Sequence, residues 1–327
     1  MLRNVAEEFG PDVVFIWNLQ GLPHEMALDA EALPGVAVAY WLAGYTPAEP
    51  DSFWQYWMKP PGHRAFLEGI KRPLRRAALA QMRSEGKPVR PQMRHVAVVS
   101  NYMRGRGLAE GTLPEHARVI YNGVEVQEFF RPVVFDVEGP LRMMVAGRVS
   151  ADKGVHTAVE ALACLEQELG QGSVHLRIAG SGPAGYLARL KQSVQEHGLD
   201  GQVSFLGHIP REEMPNLMAD CHVMLLPSTY PEAFSRAVLE GMACGLAVVG
   251  TLAGGTGELL QHEVTGLTFV AGDSSDLANQ IRRLALEPGL RERLAERGQD
   301  LVVERFSLDC MVDHVEALLQ EAIAQQP

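Results

Sequence analysis

The chain has 327 residues, 46% hydrophobic and 21% charged, a composition typical of a globular enzyme and a length sufficient for two domains. Its formal net charge of −11 argues against a general nucleic-acid binder, while leaving room for a local basic pocket. No apolar run approaches the roughly 20 residues needed to span a bilayer. No charged-then-apolar segment opens the chain, so the expected location is cytoplasmic.

Residues 1 to 10 read as the tail of a helix, with Val5 and Phe9 apolar and Gly10-Pro11-Asp12 as its break. Val13 to Trp17 reads as a buried strand, Asn18 to Pro23 as a loop, and a helix follows to about Ala32. Val36 to Leu42 is the next strand, ending in Ala43-Gly44-Tyr45. Beyond it Trp54, Tyr56 and Trp57 cluster, ahead of a basic helix with Lys71, Arg72, Arg75 and Arg76. The aromatic cluster reads as packing in preference to a platform for a sugar ring. The basic residues read as a solvated face, with anionic lipid or a phosphorylated acceptor as the alternative. His95 to Ser100 is a strand, Arg104 and Arg106 lie on a following helix, and Arg118 to Tyr121 is a short strand closed by the turn pair Asn122-Gly123. Phe130 to Pro140 has two prolines, a glycine and no helical period; the expected linker is 131–140.

The second half opens on a strand, Leu141 to Ala146, followed by Gly147-Arg148 and Asp152-Lys153-Gly154. Val155, Ala158, Val159, Leu162, Leu165 and Leu169 then recur at helical spacing. Val174 to Ala179 is a strand, closed by Gly180-Ser181-Gly182-Pro183, which falls short of the full dinucleotide fingerprint. Val203 to Gly207 is a further strand and Arg211 to Ala219 a helix. Ala247 to Gly250 is a strand before the glycine-rich loop Gly254 to Glu258, where backbone can approach a ligand closely. Helices are expected over Asp276 to Leu286 and Leu308 to Ile323. The cysteines Cys164, Cys221, Cys244 and Cys310 show neither metal-ligand nor disulfide spacing and read as buried free thiols.

The rest is organised around Leu226 to Gly245. Val223 to Leu226 is a short apolar run, read as a buried parallel strand. Pro227, Ser228 and Pro231 force a loop, a helix runs from Ser235, and Gly245 ends it. Glu232 stands in the loop and Glu240 in the helix. A strand, a polar loop and a helix whose N–H groups face the strand's carboxyl end form the place where open α/β sheets bind phosphate-bearing ligands. Glu232 and Glu240, with Pro231 before them and Met242-Ala243-Cys244-Gly245 after, resemble the signature of the retaining glycosyltransferases of the large group 1 family, family 4, which have the GT-B fold. Gly147-Arg148 with Lys153-Gly154 is similar to that family's diphosphate-gripping motif.

The resemblance covers nearly all of 141–310 and implies an α/β protein of two Rossmann-like domains. These are a shortened acceptor-side domain over 1–130, to which the final helix 308–323 returns, and a donor-binding domain over 141–307. It implies retaining transfer of a sugar from a nucleotide diphosphate sugar to an acceptor hydroxyl; no Asp-x-Asp stands at a strand end, so neither a metal nor a cofactor is expected. Arg148 and Lys153 would hold the diphosphate, Glu232 would touch the sugar and Glu240 the ribose. The N–H groups of Phe234, Ser235 and Arg236 would meet phosphate or sugar, with Gly147, Gly182 and Ser228 bordering the donor. The partners expected are the nucleotide sugar and a glycan, lipid-linked or small-molecule acceptor, and no nucleic acid. Peripheral contact at the inner membrane face and homo-oligomerisation stay open. The family's opening strand and glycine-rich loop have no counterpart after Met1, and Ala43-Gly44-Tyr45 stands where many relatives carry His or Asp. A nucleotide-sugar-binding subunit, inactive alone, and a nucleotide-sugar epimerase or hydrolase are the alternatives, since fold alone does not choose among them.

Overall fold

The structure, a computed structural model, describes residues 2–19, 24–44, 72–80, 90–133 and 139–326. Tyr45, the Trp54–Tyr56–Trp57 cluster and Lys71 lie outside the described residues; Arg72, Arg75 and Arg76 fall on a helix over 72–80. The chain forms two compact units, Met1–Ile120 with His314–Pro327, and Tyr121–Asp313. Residues 121–130, ahead of the expected linker, therefore pack with the second unit. Val124 N–H donates to the Phe306 carbonyl, Leu308 N–H to the Val124 carbonyl, and Phe129 is fully buried.

The first unit holds a parallel sheet of β1 (Val13–Trp17), β2 (Ala37–Leu42), β3 (His95–Val98) and β4 (Arg118–Val119), in that spatial order. β2 is buried along its whole length, as its unbroken apolar run requires for an inner parallel strand. β1 is the edge strand in that order and is half-buried, with Trp17 exposed. The Trp41 indole N–H donates to the Ile120 carbonyl at 2.9 Å, giving its buried polar atom a partner. Ser100 caps the helix Asn101–Ala109, its hydroxyl accepting from Met103 N–H. The last helix runs Leu308–Ala324 and buries Leu318 and Ala322; its Glu321 pairs with Arg118 at 2.6 Å.

Among the described residues the second unit holds six parallel strands. These are β5 (Leu141–Ala146), β6 (Val174–Ala179), β7 (Val203–Gly207), β8 (Val223–Leu226), β9 (Ala247–Gly250) and β10 (Leu267–Thr268), in the spatial order β10-β9-β8-β5-β6-β7. The chain builds outward from β5 through β6 to β7, then returns to β5's other side for β8. The order reverses between β5 and β8, and the carboxyl ends of those two strands form the crevice where open α/β sheets take ligands. The helix Val155–Leu169 buries Val155, Ala158, Val159, Leu162 and Leu165, the apolar stripe of its sequence. Each large aliphatic side chain so buried contributes about 1.5–3 kcal/mol.

Two long helices of this unit were not read from the sequence. Ala184–Glu196 follows directly on Pro183, and Pro288–Arg305 has its proline at the first turn. A proline there opens a helix because the missing N–H has no intrahelical acceptor to lose. The second helix also carries a weak apolar stripe, because it buries Arg291 and Gln299; the Gln299 amide donates to the carbonyls of Arg131 and Ala243, both at 2.8 Å. No disulfide forms among the four cysteines; Cys221 and Cys244 are buried, whereas Cys164 and Cys310 are half-buried. Burial pushes the Cys221 and Cys244 thiols up to about 11 and about 12, so both stay protonated. Among the described residues no helix is long and apolar enough to cross a membrane.

Candidate functional site

The site builds from two chain turns that lock together. After β5 the chain passes Gly147 and Arg148 and makes a short 3₁₀ turn, Ala151–Lys153. Gly154 follows with φ +65°, and a Cβ there would run into the Pro227 carbonyl. Only glycine satisfies both the left-handed φ and the approach. After β8 the chain doubles back onto the same turn, and the Asp152 carbonyl accepts the N–H groups of Thr229 and Tyr230, both at 3.0 Å. Lys153 is thereby set against the following loop: its Nζ lies 2.5 Å from Glu232 Oε1. The two side chains are 24% and 12% exposed, so the pair is partly shielded and stronger than a surface pair. Arg148 pairs with Asp152 at 2.8 Å and is largely exposed.

Glu232 is also held through its backbone. Its N–H donates to the Ala253 carbonyl at 3.1 Å, and its carbonyl accepts from Gly255 N–H at 2.6 Å. Gly254, at φ +75°, lies so close to the Glu232 backbone that a Cβ would not fit. The glycine-rich loop therefore approaches Glu232 itself, where the sequence suggested approach to a ligand. Phe234 is buried, its ring 5.0 Å from that of Tyr121 and 5.4 Å from that of Phe306. The Asn122 amide donates to the Phe234 carbonyl at 3.3 Å.

That anchored turn starts the helix Arg236–Ala243. The N–H groups of Phe234, Ser235 and Arg236 donate to no protein acceptor among the described residues. Three open N–H groups at a helix N-terminus, with about half a positive charge from the helix, make an anion cradle. The cleft that these residues line has a volume of about 190 Å³. Of the residues singled out in the sequence, Gly147, Arg148, Lys153, Glu232, Phe234, Ser235 and Arg236 line it, with Pro227 and Ala237 added by the structure.

Three others lie elsewhere. Ser228 is fully buried, and its hydroxyl faces the carbonyls of Asp152 and Tyr230, tying the loop down. Gly182 packs against the Val149 carbonyl, leaving no room for a Cβ, while Val149 N–H donates to the Ser181 carbonyl at 2.9 Å. Glu240 sits one helical turn behind the cradle, 14% exposed, with Arg211 at 3.2 Å and Arg236 at 3.5 Å. Burial pushes its carboxyl up from the usual carboxylate range, and Arg236 and Arg211 oppose the push.

Sequence reasoning missed the Asp152 carbonyl clamp, the Tyr121–Asn122 support and Arg211. Of these only Asn122-Gly123 left a signal, as a turn pair. Among the described residues no three His, Cys, Asp or Glu side chains gather as a metal-holding group.

The family described as glycosyl transferases, group 1, matches residues 126–301. The chain is 30% identical over 192 residues to the amylovoran biosynthesis glycosyltransferase AmsK of Erwinia amylovora, covering 57% of this chain and 46% of that protein. It is also 30% identical over 171 residues to the N-acetyl-alpha-D-glucosaminyl L-malate synthase of Bacillus anthracis, covering 52% and 43%. The chain thus spans about half the length of the curated relatives it matches. Among solved structures it is similar to HepE of Anabaena, in complex with UDP and glucose, at a TM-score of 0.73 and 22% identity, covering 98% of this chain and 81% of that one. A glycosyltransferase from Rickettsia africae gives 0.74 and 19%, covering 99% and 80%. At such identities the likeness shows the fold, which is the expected GT-B arrangement of α/β domains with parallel sheets.

Proposed function

The chain belongs to the glycosyl transferases group 1 family, and from that premise we propose that it moves a sugar from a nucleotide diphosphate sugar to an acceptor hydroxyl, with retention of configuration and without a metal. One observation carries the reading: Arg148, Lys153, Glu232 and the segment Phe234–Arg236, whose N–H groups donate to no protein acceptor among the described residues, line one cleft at the carboxyl ends of β5 and β8.

The roles follow from charge. When the glycosidic bond breaks, the nucleotide diphosphate leaves with added negative charge. Arg148, Lys153 and the helix N-terminus stabilise that charge, and being preorganised they need little reorganisation as it develops. The two cations thus supply what a divalent ion would otherwise supply. Glu232, set in place by Lys153, accepts hydrogen bonds from the donor sugar, and Glu240 accepts them from the ribose. UDP bound to HepE supports a nucleoside diphosphate as the leaving group.

A panel of nucleotide diphosphate sugars, with and without chelator, tests the reading by turnover and by the anomeric proton signals of the product. Transfer with the donor's anomeric configuration kept and no loss in chelator is expected. Inversion contradicts the mechanism, and chelator loss restored by magnesium or manganese contradicts metal independence. Donor breakdown with no transfer in any acceptor screened contradicts transfer itself.

A further inference from the structure

Arg211 belongs to no motif read from the sequence, yet it reaches Glu240. It opens the 3₁₀ turn Arg211–Glu213 in the loop that follows β7, 29 residues before Glu240. Its Nη1 donates to Glu240 Oε1 at 3.2 Å. Its guanidinium lies 5.5 Å over the ring centroid of Phe129, a fully buried residue. A flat cation stacked on an immobile ring is held in orientation, which an isolated surface pair is not. Arg236 Nη2 also reaches Oε1, at 3.5 Å. Both arginines act on one oxygen of Glu240, and Oε2 has no hydrogen-bond partner among the described residues.

We propose that Arg211 is a positioning residue of the donor site: stacked on Phe129, it grips Glu240 Oε1 and so presents Oε2 to the ribose hydroxyls of the nucleoside diphosphate. This rests on the donor-site reading above. Glu240 is mostly buried, and a buried carboxylate without a cation tends to take a proton and so becomes a weaker acceptor. The charged and titratable groups facing it are few. Arg236 stands on its own helix, Arg211 comes from the loop after β7, and Cys244, one turn on, keeps its proton because burial pushes its thiol up to about 12. Arg211 is half-exposed and Arg236 more so. Of the two, Arg211 has the shorter contact and the aromatic support.

The test uses calorimetric titration of the full chain with UDP, GDP, ADP and dTDP, pursuing whichever binds. Arg211→Ala is expected to weaken binding roughly tenfold or more, the effect of losing a hydrogen bond to a charged group. Arg211→Lys, which keeps the charge but not the planar fork, should recover part of the loss. The acid limb of binding should move to higher pH in Arg211→Ala, because Glu240 loses a cation that favours its ionised form. Combined with Glu240→Gln, Arg211→Ala should add little, since both act through one carboxylate. Thermal melts of Arg211→Ala and Arg211→Gln guard against a folding defect, and if the alanine variant unfolds the glutamine variant carries the comparison. Wild-type affinity in Arg211→Ala alongside weakened Glu240→Gln overturns the role of Arg211 and leaves the donor site standing. A loss that is pH-independent and additive to Glu240→Gln overturns positioning through Glu240. Wild-type affinity in both variants removes Glu240 from the site, and no binding of any nucleotide by the wild-type chain overturns the donor-site reading itself.

Discussion

The two parallel sheets differ in one topological respect. Among the described residues β1 to β4 of the first lie side by side in chain order; in the second, the order reverses between β5 and β8. A sheet laid down in order sends successive loops to one edge after another. A reversal parts two neighbouring loops and opens a crevice between them. The cleft with Arg148, Lys153 and the open N–H groups lies at that reversal. The difference teaches that strand order locates the site, and that the side chains there determine its chemistry.

The largest effect that sharpens this contrast is on turnover. Arg148→Ala or Lys153→Ala should lower it on the order of 10²–10³-fold, about 2.7–4 kcal/mol, as for a lost preorganised donor at a developing charge. The melting temperature should change little in Arg148→Ala, whose side chain is largely exposed, and fall somewhat in Lys153→Ala, which leaves the mostly buried Glu232 carboxylate unpaired. Full activity in both variants would break the link between the reversal and the chemistry.

The amino end of the same strand should respond to acid. His222, just before β8, is buried with its Nδ1 accepting from Arg142 N–H, and burial holds its imidazole down at about 4. Above pH 6.5 the ring is neutral folded and unfolded, so it adds no pH dependence. Between about 6.5 and 4 the unfolded chain takes a proton that the folded chain refuses, and stability falls by roughly 3 kcal/mol. Denaturant titration across that window should show the loss, and His222→Asn should flatten it. An equal slope in the variant would assign the acid sensitivity elsewhere.

A finer contrast lies between the two glutamates. Glu240→Gln should weaken the bare nucleoside diphosphate and the full donor alike, by about 1.5–3 kcal/mol. Glu232→Gln should leave the bare nucleotide's affinity unchanged and lower turnover, because positive charge grows on the sugar. Calorimetry with both ligands decides it; equal losses against the bare nucleotide would merge the two roles.

The smallest effect tests the first sheet. Trp41→Phe removes the hydrogen bond to the Ile120 carbonyl and should cost about 1 kcal/mol or somewhat more, with that buried acceptor left unpaired. Nucleotide affinity measured on the folded variant should not change. A parallel fall in affinity would mean that the first sheet shapes the donor site.

The strands from β1 to β9 were legible because short apolar runs bounded by glycines and polar residues leave marks in one dimension, whereas the grouping of Arg148, Lys153 and Glu232 was legible through the resemblance of their motifs to the family's. Glu240 was legible as a residue, but its neighbour Arg211 was not. That contact joins positions 29 apart through a stack on Phe129, a product of the folded path. The Asp152 clamp was invisible for a different reason: a carbonyl carries no side-chain signature. Ser228 shows the converse. The resemblance sets it at the border of the donor, and in the fold its hydroxyl faces the carbonyls of Asp152 and Tyr230 within the loop, a contact that no sequence pattern announces.

Diffraction from the protein with a bound nucleoside diphosphate tests the central claim most directly. The diphosphate should lie at the β5–β8 reversal, between the Arg148 and Lys153 side chains and the N–H groups of Phe234, Ser235 and Arg236, with the ribose on Glu240. A diphosphate bound away from that reversal, or one lying there without touching Arg148, Lys153 or the helix N-terminus, would contradict the account.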